Sequence, residues 1–364
     1  MGIFISKSYE DLDNIFIPKF KKESRYFFIM FQEDNNKENE KNQIEILKDV
    51  NKKGKEIDWK SKKMSNILLA ESYKRLHLKK AYRVQECGTY LEFKQSKENP
   101  NLKKLSNANF CKDRLCPMCS WRRSLKIFGQ VSKIMDKLQE ENEYEFLFLT
   151  LTSKNVYGEN LSEELDKLFY GIKKFMMVTK IKKSVKGWFR ALEVTHNLNE
   201  KSKSYDTYHP HFHIILIVNK SYFNDKILYI SQKEWKNLWK KSLKIDYDPI
   251  VDIRKINSKK KQKDIKSIVA ESAKYTVKDN DYIILKNEEL TDKSVYILND
   301  SLKNRRLIAF GGEFKKVHKL LNLNDIEEDD LINTDNETES IRDDVETIIE
   351  KYKWHIGINQ YIKI

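Results

Sequence analysis

No stretch of this 364-residue chain approaches the roughly 18 to 20 consecutive apolar residues of a membrane span, and its first residues do not read as a secretory signal. With 34% charged residues, the composition is that of a protein in water, expected in the cytoplasm and without a membrane partner. The pattern GxxxxGK followed by Ser or Thr is also missing. That excludes a P-loop ATPase or helicase, so the chemistry must proceed without ATP. Cysteine is scarce and internal repeats are absent. Cys87, Cys111, Cys116 and Cys119 are the only four thiols. Cys116-Pro117-Met118-Cys119 is a CxxC knuckle, and four thiolates in a reducing compartment suit one structural Zn²⁺ better than disulfides. A thioredoxin-type redox pair needs a βαβ context that this segment lacks.

Acidic charge is outnumbered by basic charge except in one place. The net charge is +14, yet residues 325–350 hold twelve Asp or Glu against one Arg, which leaves +25 on the remainder. Such a surplus favours a polyanion, because each Lys or Arg placed on a phosphate releases a counterion. The acidic segment is either a solvated appendage or a DNA mimic shielding the basic surface. Residues 351–364 regain aromatic character through Tyr352, Trp354 and Tyr361, which suits docking on the body.

Four regions follow from composition and periodicity. Residues 1–62 are rich in Lys, Glu and Asn and are expected to be disordered. Residues 63–130 combine a helical pattern with the cysteine knuckle, 131–322 form the main domain, and 323–364 form an acidic tail. Beside the knuckle, Arg122 and Arg123 are candidates either for DNA or for packing the knuckle against its neighbour. Strands are expected over 144–152, 187–195, 211–218 and 249–256, and a helix over 162–180 with Leu165, Leu168, Phe169, Ile172 and Phe175 at helical spacing. Ser231 to Glu234 is a capping box opening another helix. This succession indicates an α+β fold, a sheet with helices packed on one face.

Residues 209–213 read His-Pro-His-Phe-His before the run Ile214 to Val218. On a strand, His211 and His213 share a face, close enough to hold one ion. Two imidazoles leave a coordination shell open, as a catalytic metal requires. Farther on, residues 264–278 suit a helix that sets Glu271 and Tyr275 one turn apart, with Lys278 beyond. A tyrosine hydroxyl can act as nucleophile and a nearby carboxylate as general base. Lys274 and Lys278 can offset part of the cost of ionising it.

Taken in order, the Cys111 to Arg123 knuckle, the strand Phe148-Leu-Thr-Leu-Thr152, Leu192-Glu-Val-Thr195, His209-Pro-His-Phe-His213 and Glu271-Ser-Ala-Lys-Tyr275-Thr-Val-Lys278 resemble the plasmid rolling-circle replication initiators. These are HUH endonucleases of the single-tyrosine Rep type found on small Gram-positive plasmids. The resemblance covers about residues 63–320. It implies a central antiparallel sheet carrying the histidines, and nicking of one origin strand through a 5′-phosphotyrosine that leaves a free 3′-OH primer. It further implies Mg²⁺ or Mn²⁺ on His211 and His213, Tyr275 as nucleophile, and Glu271 activating water at termination. For the third metal ligand Glu193 is expected, with His209 as alternative. The partners implied are double-stranded origin DNA, its single-stranded nick site, and a host helicase and DNA polymerase. A relaxase or transposase using Tyr282 as second nucleophile, and a non-catalytic zinc-dependent DNA-binding regulator, are the competing readings.

Overall fold

The computed structural model describes residues 44–50, 54–140, 143–256, 268–271, 273, 276–334, 341 and 345–364. The chain divides into two units, 1–45 and 46–364, and the account below concerns the second. The disorder expected for residues 1–43 and 51–53 lies outside the described residues. Residues 54–62, grouped by composition with that segment, already belong to the body. Trp59 is buried, donates through Nε1 to Asp49 (2.8 Å), and meets Phe93 and Trp121 edge-on. One such anchor outweighs the polar composition around it.

The first sheet gathers both ends of the unit. Helix α1 (Trp59–Arg75) starts on Asp58, whose carboxylate accepts from the Ser61 N–H. Helix α2 (Ala81–Gln85) leads to Cys87, then to strands β1 (Tyr90–Ser96) and β2 (Lys103–Ala108). Helix α3 (Pro117–Glu140) opens on Pro117, where a missing N–H costs nothing, and carries Cys119 in its first turn.

The second sheet holds the histidines. Strand β3 (Tyr144–Thr152) is followed by the short β4 (Val156–Tyr157), helices α4 (Leu161–Met176) and α5 (Thr179–Ser184), and strands β5 (Val185–Asn197) and β6 (Thr207–Asn219). Helix α6 (Gln232–Leu243) is capped by Ser231, which accepts from the Glu234 N–H as the capping box predicts, and leads to β7 (Val251–Ile256). Helix α7 (Glu288–Ser301), strand β8 (Ile308–Gly312) and helix α8 (Glu313–Leu320) follow. The strand order is β7-β3-β6-β5-β8, with antiparallel pairing throughout. This is the expected α+β class, a central antiparallel sheet flanked by helices.

Helices cover both faces of this sheet, not the one face expected. On one side Phe169 of α4 meets Phe212 edge-on, and Phe175 packs on Trp235 and Trp239 of α6. On the other, Phe189 meets Phe310, which packs on Phe314 and His318 of α8. Gly187 permits that approach, since a Cβ there would lie 2.7 Å from the Glu313 nitrogen. Strand β6 is central and buried on both faces, which explains its unbroken apolar run from Ile214 to Val218.

The C-terminus is part of the body. Strand β9 (Thr347–His355) pairs with β1, and β10 (Gln360–Lys363) with β9, completing the order β10-β9-β1-β2. Ahead of them, residues 324–332 run along α3. Gln130 donates to the Asn324 carbonyl (3.2 Å), buried Lys126 pairs with Asp329, and Arg122 donates to the carbonyls of Leu331 (2.8 Å) and Ile332.

Candidate functional site

Register, not sequence proximity, assembles the first constellation. Across β5 and β6, Glu193 stands opposite His211 and Ala191 opposite His213, while on the other flank Thr150 of β3 stands opposite His213. All these side chains share one face of the sheet. Glu193 Oε2 lies 2.9 Å from His213 Nε2 and 3.5 Å from His211 Nε2, and all three residues are buried. Each imidazole is held by its other nitrogen: His211 Nδ1 lies 3.2 Å from the His209 carbonyl, and His213 Nδ1 lies 3.4 Å from Thr150 Oγ1. Phe148 stacks on the His213 ring. With an ion bound, a His211 Nδ1–H donating to that carbonyl would leave Nε2 as a ligand in place of its hydrogen bond to Glu193, the tautomer a metal needs.

Burial alone would raise the Glu193 carboxyl, but hydrogen bonds and charge from His211 and His213 outweigh it and hold it well below the usual carboxylate range. An ionised carboxylate and two oriented imidazoles, with ligand atoms within 4.8 Å of one another, fit a single divalent cation. His209 stacks on His211 with ring centroids 5.1 Å apart but stands outside this group of three.

The second constellation joins the four cysteines, buried and with ligand atoms within 4.8 Å of one another. Cys87 Sγ lies 3.5 Å from the sulfurs of both Cys116 and Cys119, and Cys111 Sγ lies 3.7 Å from that of Cys119. Sulfurs of a tetrahedral centre with bonds of about 2.3 Å stand about 3.8 Å apart, so the spacing fits a closed four-thiolate site. Donors surround them: the N–H groups of Cys111, Lys112 and Asp113, and Asn66 Nδ2 on Cys116 Sγ at 3.3 Å. Lys63 donates to the carbonyls of Gln85 (2.6 Å) and Cys87 (2.8 Å). Burial lowers its ammonium to about 8, against the opposing pull of the cysteines. Donors and a nearby cation are what a tetrathiolate, with its excess negative charge, requires.

Of the remaining candidates, Lys274 and Tyr275 lie outside the described residues. Residues 268–271 are helical and Glu271 is half-buried. The helix expected through Lys278 does not reach it. Thr276 forms a parallel bridge with Glu193, its carbonyl accepts from the Val194 N–H (2.7 Å), and Lys278 has extended backbone with Nζ 3.6 Å from Glu193 Oε1. Pairing with β5 has overridden the helical spacing, so the seven-residue interval from Glu271 to Lys278 is not two helical turns.

The family model described as replication protein, Rep_1, matches residues 102–362. The chain belongs to this Rep replication-protein family. Among its relatives, protein rep of Bacillus amyloliquefaciens is 40% identical over 344 residues, 88% of this chain and 98% of that protein. Protein rep of Streptococcus pneumoniae serotype 2 (strain D39 / NCTC 7466) is 38% identical over 304 residues, covering 82% and 91%. No solved structure matches. The resemblance to rolling-circle initiators is thus borne out at the level of the family, and among the described residues no helix is long and apolar enough to cross a membrane.

Within this Rep chain the structure corrects two readings. Arg122 and Arg123, offered to DNA, are buried and donate to backbone: Arg122 to residues 331 and 332, Arg123 to the carbonyls of Lys112 and Asp113. They pack the knuckle, the alternative left open by the sequence. Tyr282, weighed as a second nucleophile, is buried with its hydroxyl donating to the Leu115 carbonyl, and burial pushes it well above its ordinary pKa. Other residues escaped notice. Thr150 was readable from the alternation of its strand, and Asn66 from its place one turn beyond Lys63. Asp281, half-buried behind Lys278, carries no motif and could not have been found from sequence.

Proposed function

We propose that this replication protein nicks one strand at its plasmid origin and rejoins it by transesterification through Tyr275. The tyrosine oxygen attacks the scissile phosphorus, the O3′ bond breaks, and the tyrosine proton ends on the departing 3′-OH, which serves as primer. The 5′-phosphate stays on Tyr275, one ester replacing another of similar energy. At termination Glu271 takes a proton from water, whose oxygen cleaves the regenerated origin junction; the 3′-OH released there attacks the phosphotyrosine, rejoining the strand, and its proton returns to the departing Tyr275 oxygen. The single observation that carries the reading is the oriented Glu193, His211 and His213 group, with Thr276, the residue after Tyr275, bridged to Glu193.

A Mg²⁺ or Mn²⁺ ion on those three residues would polarise the phosphate and orient it for in-line attack. Lys278, half-exposed beside Glu193, supplies positive charge toward the roughly 4 kcal/mol needed to ionise a tyrosine at pH 7. The cysteines would hold Zn²⁺ as a closed structural site. Because two of three ligands are imidazoles, which suit Mn²⁺ better than the oxygen-seeking Mg²⁺, half-maximal nicking is expected at lower Mn²⁺ than Mg²⁺ concentration, measured by metal titration. The reading is tested by Tyr275→Phe on supercoiled origin plasmid: nicking should vanish while origin binding persists, and undiminished nicking would overturn it. Loading by a host helicase and extension by a host polymerase complete the proposed cycle, since the chain carries no P-loop.

A further inference from the structure

Residues 276–282 join the two constellations. At one end, Thr276 is bridged to Glu193, and the Asp281 carbonyl lies 2.9 Å from Nδ1 of His196, also on β5. At the other, the Tyr282 hydroxyl, buried, donates to the carbonyl of Leu115, which sits between Cys111 and Cys116. A second tie runs from Asp279 to Lys62 of α1 at 3.3 Å, and the next residues of that helix reach the cysteines, Lys63 through the Cys87 carbonyl and Asn66 through Cys116 Sγ. The loop is itself braced: Asp113 accepts from the Leu115 N–H (3.0 Å), the Tyr73 hydroxyl (2.9 Å) and Lys80 (2.7 Å).

We infer that Tyr282 is a positioning residue, a latch by which the cysteine knuckle fixes the segment that follows Tyr275 against Glu193. This rests on the proposed role of Tyr275 as nucleophile. The physical basis is that a rigid, four-ligand knuckle offers a fixed acceptor, whereas the bridge at Thr276 is a single isolated pairing beside a residue that must meet a phosphate. Small displacements of a nucleophile are costly to in-line attack. The buried phenol therefore acts at a distance from the reacting atoms, through the Leu115 carbonyl.

Tyr282→Phe keeps the ring and removes only the donated hydrogen bond. On a single-stranded origin oligonucleotide the full-length variant should lose about tenfold in kcat, with KM and Mn²⁺ affinity unchanged, and amide exchange should quicken over 276–281 but not over β6. Asp279→Asn, which loosens the outer tie and cannot weaken a contact to phosphate, should act in the same direction by about threefold. It keeps the test decisive if Tyr282→Phe folds poorly. Wild-type kcat in folded Tyr282→Phe, or in Asp279→Asn should the former not fold, overturns the latch; so does slower turnover accompanied by exchange changes spread through β6. Tyr275→Phe run alongside separates the two claims: if it nicks normally the nucleophile assignment falls, and if it is inactive while the latch variants are unimpaired only the latch falls.

Discussion

Glu193 concentrates the argument at the scale of single residues. Among the described residues it is the one carboxylate paired with both imidazoles, and its depressed pKa comes from them. Glu193→Gln keeps the shape and removes the charge, so Mn²⁺ affinity measured by calorimetry should fall at least about tenfold, with little change in melting temperature. Asp281 behaves oppositely. Burial pushes its carboxyl up to about 6, Lys278 opposes, and Glu193 adds repulsion. The folded state then holds this proton more tightly than the unfolded chain, so the group costs stability increasingly as pH rises from about 4 to 6. Asp281→Asn should raise stability at pH 7 by about 1 kcal/mol, discounted for partial exposure, and the gain should vanish near pH 4 in parallel denaturant titrations.

Among the elements, the strands carrying Glu193, His211 and His213 were legible and the segment after Tyr275 was not. The apolar runs at 146–149 and 214–218 read as buried strands, and the capping box at Ser231 is a local chemical signal that tertiary contacts do not alter. Register then follows, because a one-residue slip would turn His211 and His213 away from Glu193. By contrast, Thr276 to Lys278 was misjudged because its partner on β5 is some eighty residues away. Strand β8 and helix α8 escaped notice for a related reason: Gly311 and Gly312 weaken any strand pattern, and only their neighbours on β5 explain them, the Trp188 ring against Gly311 and the Lys186 carbonyl against Gly312, whose φ is positive. Gly187→Ala should push α8 off the sheet and destabilise the protein by about 1–3 kcal/mol in urea unfolding.

For the whole molecule, composition gave the partner class better than the boundaries. The basic surplus agrees with a replication protein, yet residues 325–332 of the acidic segment run along α3, and residues 347–363 form two strands of the first sheet. Charge patterning sees solvation, not the few buried aromatics, Tyr352, Trp354 and Tyr361, that dock the end. Truncation after residue 346 should thus abolish cooperative unfolding of the cysteine-bearing part, seen by circular dichroism, and would not serve as a clean test of electrostatic shielding. The proposed covalent step at Tyr275 is put to the test by incubating the protein with its single-stranded origin oligonucleotide and Mn²⁺, then locating the adduct by mass spectrometry. The account predicts a 5′-phosphate on the peptide containing Tyr275, lost in His213→Ala; cleavage with no adduct, or an adduct on another residue, would contradict it.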